Sequence, residues 1–212
     1  VQVLLPAHAP EAVAHALVRE KAGWVRRKLA EFLAADSARE RCWTDGGTLP
    51  WLGREYPLRI IRDTDADEAI ARMDDGGWRV CVPASTPANE RRACMARALR
   101  AWCIRQAEEY LPRMAWRRAR VMGARPMHVG VKGYRSRWGS CHADGRVYFN
   151  WRLMLAPVDV IDYVVVHELC HLTRRDHSPA FWALVARWRP DWRERRLWLR
   201  RRGHGLAVLD GY

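Results

Sequence analysis

The chain has 212 residues, 49% of them apolar, with 37 Lys plus Arg against 24 Asp plus Glu and a formal net charge of +13. A chain this long buries about 70% of the surface it exposes when unfolded, and twelve tryptophans are more than a solvated tail carries, so a disordered basic segment is excluded. No run reaches the ~18 consecutive apolar residues that a membrane-spanning helix needs. The charge excess is nearly all arginine, 34 residues to 3 lysines. That bias suits phosphate and nucleic-acid oxygens, and it is equally expected from codon usage in a genome rich in G and C.

Val1 to Leu5 reads as a strand entered in mid-fold, with no basic n-region and no initiator Met, so a preceding piece of the protein is expected. Pro10-Glu11 opens a helical stretch that Gly23 is expected to interrupt before Trp24 to Ala35 resumes it. Leu49 to Leu52 and Tyr56 to Ile61 flank Gly53 as a hairpin, Asp63 to Glu68 is an acidic loop, and Trp78 to Val82 alternates as a strand after Asp74-Asp75-Gly76-Gly77. From Pro87 to Arg120 the apolar residues recur at helical spacing, with Pro112 expected to kink or break the run.

Met127 to Val131, Ser136 to Cys141 and Arg146 to Asn150 are short strands, the last two joined at Ala143-Asp144-Gly145. Pro157 starts a helix running to about Arg174. Ser178-Pro179 starts another as N-cap and first residue, and Pro190-Asp191 a third that ends near Gly203. This order predicts an α+β fold with a small mixed sheet and helices gathered at the C-terminus. It divides into an N-terminal α/β lobe over residues 1–86 and a second lobe over 87–212. Cys42, Cys81, Cys94, Cys103, Cys141 and Cys170 form no C-x-x-C pair and sit in periodic apolar segments, which reads as buried thiols in a reducing, cytoplasmic setting.

The sharpest signal is His167-Glu168-Leu169-Cys170-His171, an H-E-x-x-H pattern inside a helix. Residues four apart lie about 40° apart in azimuth and one turn apart along the axis, so both imidazoles can face one metal ion. Glu168 projects to the side, where it is placed to take a proton from a metal-activated water. A catalytic zinc site needs a third protein ligand. His177 is favoured over Glu194, provided the helix ends between His171 and His177, because a continuing helix would carry His177 about 9 Å along the axis and about 240° around it. Arg174-Arg175-Asp176 followed by Ser178-Pro179 supplies that break. Arg137, Asn150, His142 and His204 are candidate donors to an oxyanion by their chemistry.

Arg137-Trp138-Gly139-Ser140-Cys141, Asn150-Trp151-Arg152-Leu153, Asp162 to His171, and His177-Ser178-Pro179-Ala180-Phe181-Trp182 together resemble the YgjP-like metallopeptidase family, which is related to the SprT-like and WLM-type zinc proteases. Weaker matches at Trp24 to Leu29 and Leu52 to Tyr56 extend the resemblance over nearly the whole chain. It implies a minimal gluzincin or zincin-type domain, with His167, His171 and His177 matching the metal ligands and Glu168 the catalytic glutamate. It also implies that the Arg137 to Cys141 strand or the Arg146 to Asn150 strand receives an extended substrate by strand addition. The plainer reading of that stretch makes Trp138 and Cys141 core residues and Gly139 a bulge.

The expected activity is zinc-dependent hydrolysis, foremost of peptides. The alternatives are a nucleotide pyrophosphatase of the UTP-hydrolysing type and a protease acting on DNA-bound proteins. Residues 174–204 carry ten Arg against Asp176, Asp191 and Glu194, with Trp182, Trp188, Trp192 and Trp198 interleaved. This segment is either a nucleic-acid face or an amphipathic helix pair whose tryptophans are core.

Overall fold

The computed structural model of the protein describes residues 10–210, so the strand expected at the start of the chain lies outside the described residues. Two compact units are present, Val1–Arg41 and Cys42–Tyr212. The first consists, where described, of helix α1 (Glu11–Cys42), which runs unbroken through Gly23 and beyond Ala35. One glycine costs a helix only about 1 kcal/mol, and the good helix formers Lys21, Ala22 and Arg26 surround it.

In the second unit, β1 (Thr48–Trp51), β2 (Arg54–Asp63), β3 (Ile70–Asp74) and β4 (Gly77–Pro83) form a sheet of order β1-β2-β4-β3, with β2 and β4 parallel and the other pairs antiparallel. The β1–β2 hairpin turns at Leu52 (φ 48°) and Gly53 (φ 81°), both left-handed as a two-residue hairpin turn demands. A Cβ on Gly53 would stand 2.6 Å from Pro157 Cα, so the turn fits against the residue that opens the motif helix. β3 was not anticipated: it is an edge strand in which only Ala71 is buried, so it lacks a clear apolar alternation.

Helix α2 (Arg91–Met122) packs on β3 and β4 and on β5 of a second sheet. Pro112 does not break it. Leu111, Met114 and Ala115 are buried on either side, and the carbonyl that loses its partner belongs to the exposed Glu108. The second sheet comprises β5 (His128–Lys132), β6 (Gly139–Cys141) and β7 (Arg146–Asn150), ordered β5-β7-β6. The chain continues through a 3₁₀ turn over Trp151–Leu155, α3 (Val158–Cys170), α4 (Pro179–Trp188), α5 (Trp192–Arg202) and a 3₁₀ turn over Gly203–Ala207.

The expected division at residue 86 is not where the compact units part, because the four-stranded sheet shares its core with α2 and the second sheet. Leu49, Leu58, Trp78 and Val80 join Leu99 and Cys103 of α2 and Phe149 of β7 in one buried cluster. Trp51, Trp78 and Trp102 meet there with ring centroids 4.8 to 5.6 Å apart, the separation aromatic edges and faces prefer. Cys103 and Cys170 are buried thiols, while Cys81, Cys94 and Cys141 are half-buried.

α3 is fixed by charge as well as by its apolar residues. Asp162, 3% exposed, accepts two 2.6 Å bonds from Arg118 of α2 and one at 3.2 Å from Arg189, which comes directly after α4. A buried carboxylate needs such partners, and here they tie three segments together one turn before the histidines.

Candidate metal centre

His167 and His171 lie one turn apart on one side of α3, which ends at Cys170. The chain then turns back, Ser178 caps α4 by accepting from the Phe181 N–H, and Pro179 takes the first helical position. This brings His177 to the other two. His167 Nε2 stands 3.2 Å from His171 Nε2 and 3.2 Å from His177 Nε2. Nitrogens bound to one tetrahedral ion at about 2.05 Å would be separated by about 3.3 Å. Phe181, fully buried, stacks on His171 at 4.4 Å and meets His167 and His177 edge-on, which holds all three rings in place.

Tautomers sharpen the point. His171 Nδ1 donates to the Arg174 carbonyl at 2.8 Å, leaving its Nε2 lone pair turned toward His167. Burial and the neighbouring His171, His177 and Arg196 push His167 down to about 3, and burial also lowers His171. These two rings are therefore neutral at physiological pH. A single N–H on His167 Nε2 can serve only one of its two neighbours, whereas a cation accepts all three lone pairs. Among the described residues, His167, His171 and His177 are the one group of His, Cys, Asp and Glu side chains close enough to hold a metal ion. Glu194 stands exposed on α5 beside Arg195 and takes no part.

Glu168 is 7% exposed and borders the same cleft. Burial pushes its carboxyl up to about 8, while the Arg137 guanidinium pulls the other way. Gly139 explains part of that burial, because a Cβ there would lie 2.6 Å from Glu168 Cγ and 2.7 Å from Oε1. Gly139 is therefore no bulge. It pairs regularly with Phe149, and its missing side chain makes room for the glutamate. Trp138 and Cys141 are not core residues: both border the cleft, Cys141 half-buried and Trp138 packed against the core from outside.

β6 is the edge of its sheet, whereas β7 is central and has no open side. The Trp138 carbonyl and the His142 N–H bond to β7, so Ser140 between them faces β7 as well. The N–H and C=O groups of Gly139 and Cys141 consequently point away from β7, along the open edge. Of the two strands expected to receive substrate, only β6 has an unpaired edge.

Arg137 borders the cleft, with its guanidinium over Tyr134. Asn150 does not serve as an oxyanion donor. Both hydrogens of its Nδ2 are committed, to the Tyr134 and Arg137 carbonyls at 2.9 Å, and Oδ1 accepts from Arg152. It clamps the loop before β6, aided by Arg152, which bonds to the Tyr134 carbonyl and pairs with Asp210. His142 is exposed just past the end of β6, its ring against Tyr148, and His204 borders a different pocket. Residues that sequence reasoning missed are Tyr163, Arg175, Arg196 and Arg200, all of which border the cleft. Tyr163, four residues before His167, shares its helix face, and burial pushes its hydroxyl up to about 12.

Of the tryptophans of the C-terminal segment, one belongs to the buried core and three are half-buried against it. Trp192 is buried, Trp182, Trp188 and Trp198 are packed against the core, and Arg187, Arg193 and Arg196 lie over the faces of Trp188, Trp192 and Trp182.

An α+β domain in which an H-E-x-x-H helix and the turn after it converge three imidazoles beside a sheet edge is a zincin-type domain, the class in which a metal ion serves hydrolysis. The family profile described as "YgjP-like, metallopeptidase domain" matches residues 1–202, and the chain belongs to that family. No curated protein and no solved structure matched the chain. Among the described residues no helix is long and apolar enough to cross a membrane.

Proposed function

We propose that the protein is a zinc-dependent peptidase in which His167, His171 and His177 hold the metal and Glu168 is the general base. The observation that carries this reading is the convergence of three imidazole nitrogens beside a buried glutamate and the unpaired edge of β6. Zinc held there supplies a Lewis acid for a scissile carbonyl and acidifies water.

The chain's own groups do the rest. Gly139 and Cys141 offer main-chain donors and acceptors to an extended peptide, fixing its register over the histidines. Glu168, beside the three imidazoles in the cleft, takes a proton from water and passes it to the leaving amine. Arg137, at the edge of the cleft, supplies positive charge beside Glu168 as negative charge develops on the substrate. A nucleoside phosphate has no alternating amide groups to meet the β6 edge, which favours peptide hydrolysis over pyrophosphatase activity.

The test is hydrolysis of unfolded casein and of nucleoside triphosphates by the zinc-loaded protein, before and after chelation. Peptide-bond cleavage abolished by chelator and restored by zinc is expected. Release of pyrophosphate without peptide cleavage would overturn the reading. Gly139→Ala is expected to lower turnover about a hundredfold by displacing Glu168, since misplacing a reacting group by an ångström costs that much. Metal content should stay near that of the wild type, while the melting temperature should fall by a few degrees, since overpacking of this kind costs about 1 to 3 kcal/mol. Full activity in this variant would show that the close fit of Gly139 on Glu168 does not matter.

A further inference from the structure

The cleft over the histidines, about 710 Å³ in volume, carries more positive charge than bond cleavage requires. Arg137, Arg175, Arg196 and Arg200 border it, against a single carboxylate, Glu168, which is buried. Other arginines of the same C-terminal segment are neutralised: Arg189 pairs with Asp162 and Asp191, and Arg195 with Asp159 and Asp191. Among the described residues, none of the four cleft arginines makes an ion pair within 4.0 Å of a carboxylate, and the one carboxylate whose charge Arg137 feels is Glu168 of the cleft itself. Arg175 donates to the Ala143 carbonyl, and Arg137 and Arg196 lie over aromatic rings. Unpaired guanidinium groups around one concavity set up a field that draws in an anion and rejects a cation.

Two of them set a spacing. Arg196 and Arg200 are four residues apart on α5, which separates them by about 6 Å along the helix axis on one face. In an extended peptide, side chains two residues apart lie about 7 Å apart on one face. The open edge of β6 and this face of α5 border the same cleft, and the two spacings match to within about 1 Å.

We infer that the cleft selects peptides with acidic side chains at alternate positions, Asp/Glu-x-Asp/Glu, and that Arg196 and Arg200 are the residues that read them. This inference rests on the peptidase reading above. Arginine suits the task because its planar fork takes a carboxylate with two parallel hydrogen bonds.

The test uses three peptides identical except at two alternate positions, Glu-x-Glu, Gln-x-Gln and Lys-x-Lys, with kcat/KM measured on the zinc-loaded protein. The acidic peptide is expected to exceed the glutamine peptide by about tenfold, with the lysine peptide poorest and the differences shrinking as salt rises. The double variant Arg196→Glu, Arg200→Glu should reverse the order. Arg196 lies over Trp182, which packs beside His177, so Arg200→Gln serves as the second variant: its side chain is exposed, and the preference should fall about threefold with no change in melting temperature. Binding of the same peptides to Glu168→Gln protein, read by fluorescence anisotropy, should give the same order without turnover. Equal cleavage of all three peptides, or a preference unchanged in both arginine variants, overturns the inference and leaves the peptidase reading standing. Cleavage of none of the peptides, with hydrolysis of nucleoside triphosphate, overturns both.

Discussion

Replacing Glu168 by glutamine is expected to lower peptide turnover by about 10²- to 10⁴-fold, the range that general-base catalysis contributes. Metal content should be unchanged. Glutamine fills the same space beside Gly139, whose missing side chain leaves room for it, so the wall of the cleft is preserved. What is lost is the ability to accept a proton. The measurement is kcat on a fixed peptide together with metal analysis of the same preparation. Because the glutamate projects from the helix one residue away from His167, its loss removes none of the three imidazoles. A variant that turned over at the wild-type rate would move the base to another group.

The second large effect lies behind the site. Asp162→Ala is expected to destabilise the protein by about 3 kcal/mol, the low end of the cost of leaving a buried charge unpaired. The low end applies because Arg118 and Arg189 retain side-chain exposures of 32% and 18% and recover some hydration. For a chain of this size that shift corresponds to a melting temperature lower by about 6 to 12 °C. Asp162→Asn, which keeps an acceptor and loses the charge, should fall between. Thermal melting of the three proteins checks this, and equal melting temperatures would mean that hydrophobic packing alone seats α3.

The metal-binding helix was legible in the sequence because its information is local. H-E-x-x-H spacing, the valines before it and the Ser178-Pro179 cap all act within a few turns, and the helix does stop before His177, although α3 ends at Cys170 with His171 as its C-cap and not near Arg174 as expected. The β1–β2 hairpin was legible for the same reason, with Leu52-Gly53 as its turn.

What was not legible depends on partners distant in the chain. Pro112 reads as a breaker, and only the burial of Leu111, Met114 and Ala115 in the core keeps α2 whole. Asn150 has the chemistry of an oxyanion donor, yet carbonyls 13 and 16 residues upstream claim both of its hydrogens. Gly139 reads as a bulge until Glu168, on a different element, is seen to occupy the space its side chain would fill. The arginine-rich C-terminal segment divides in the same way. Arg189 and Arg195 are taken up by carboxylates on α3 and at Asp191, while Arg196 and Arg200 border the cleft, and no local pattern separates the two groups.

The central claim is that His167, His171 and His177 together hold one catalytic metal ion. Zinc titration of metal-free protein, wild type beside His177→Ala and Glu168→Gln, tests it most directly. One ion per chain is predicted for the wild type and for Glu168→Gln with similar affinity. His177→Ala should bind at least about a hundredfold more weakly, more than is typical for the loss of a group that only orients a ligand. Wild-type protein that took up no stoichiometric zinc, or a His177→Ala variant with unchanged affinity, would contradict the account.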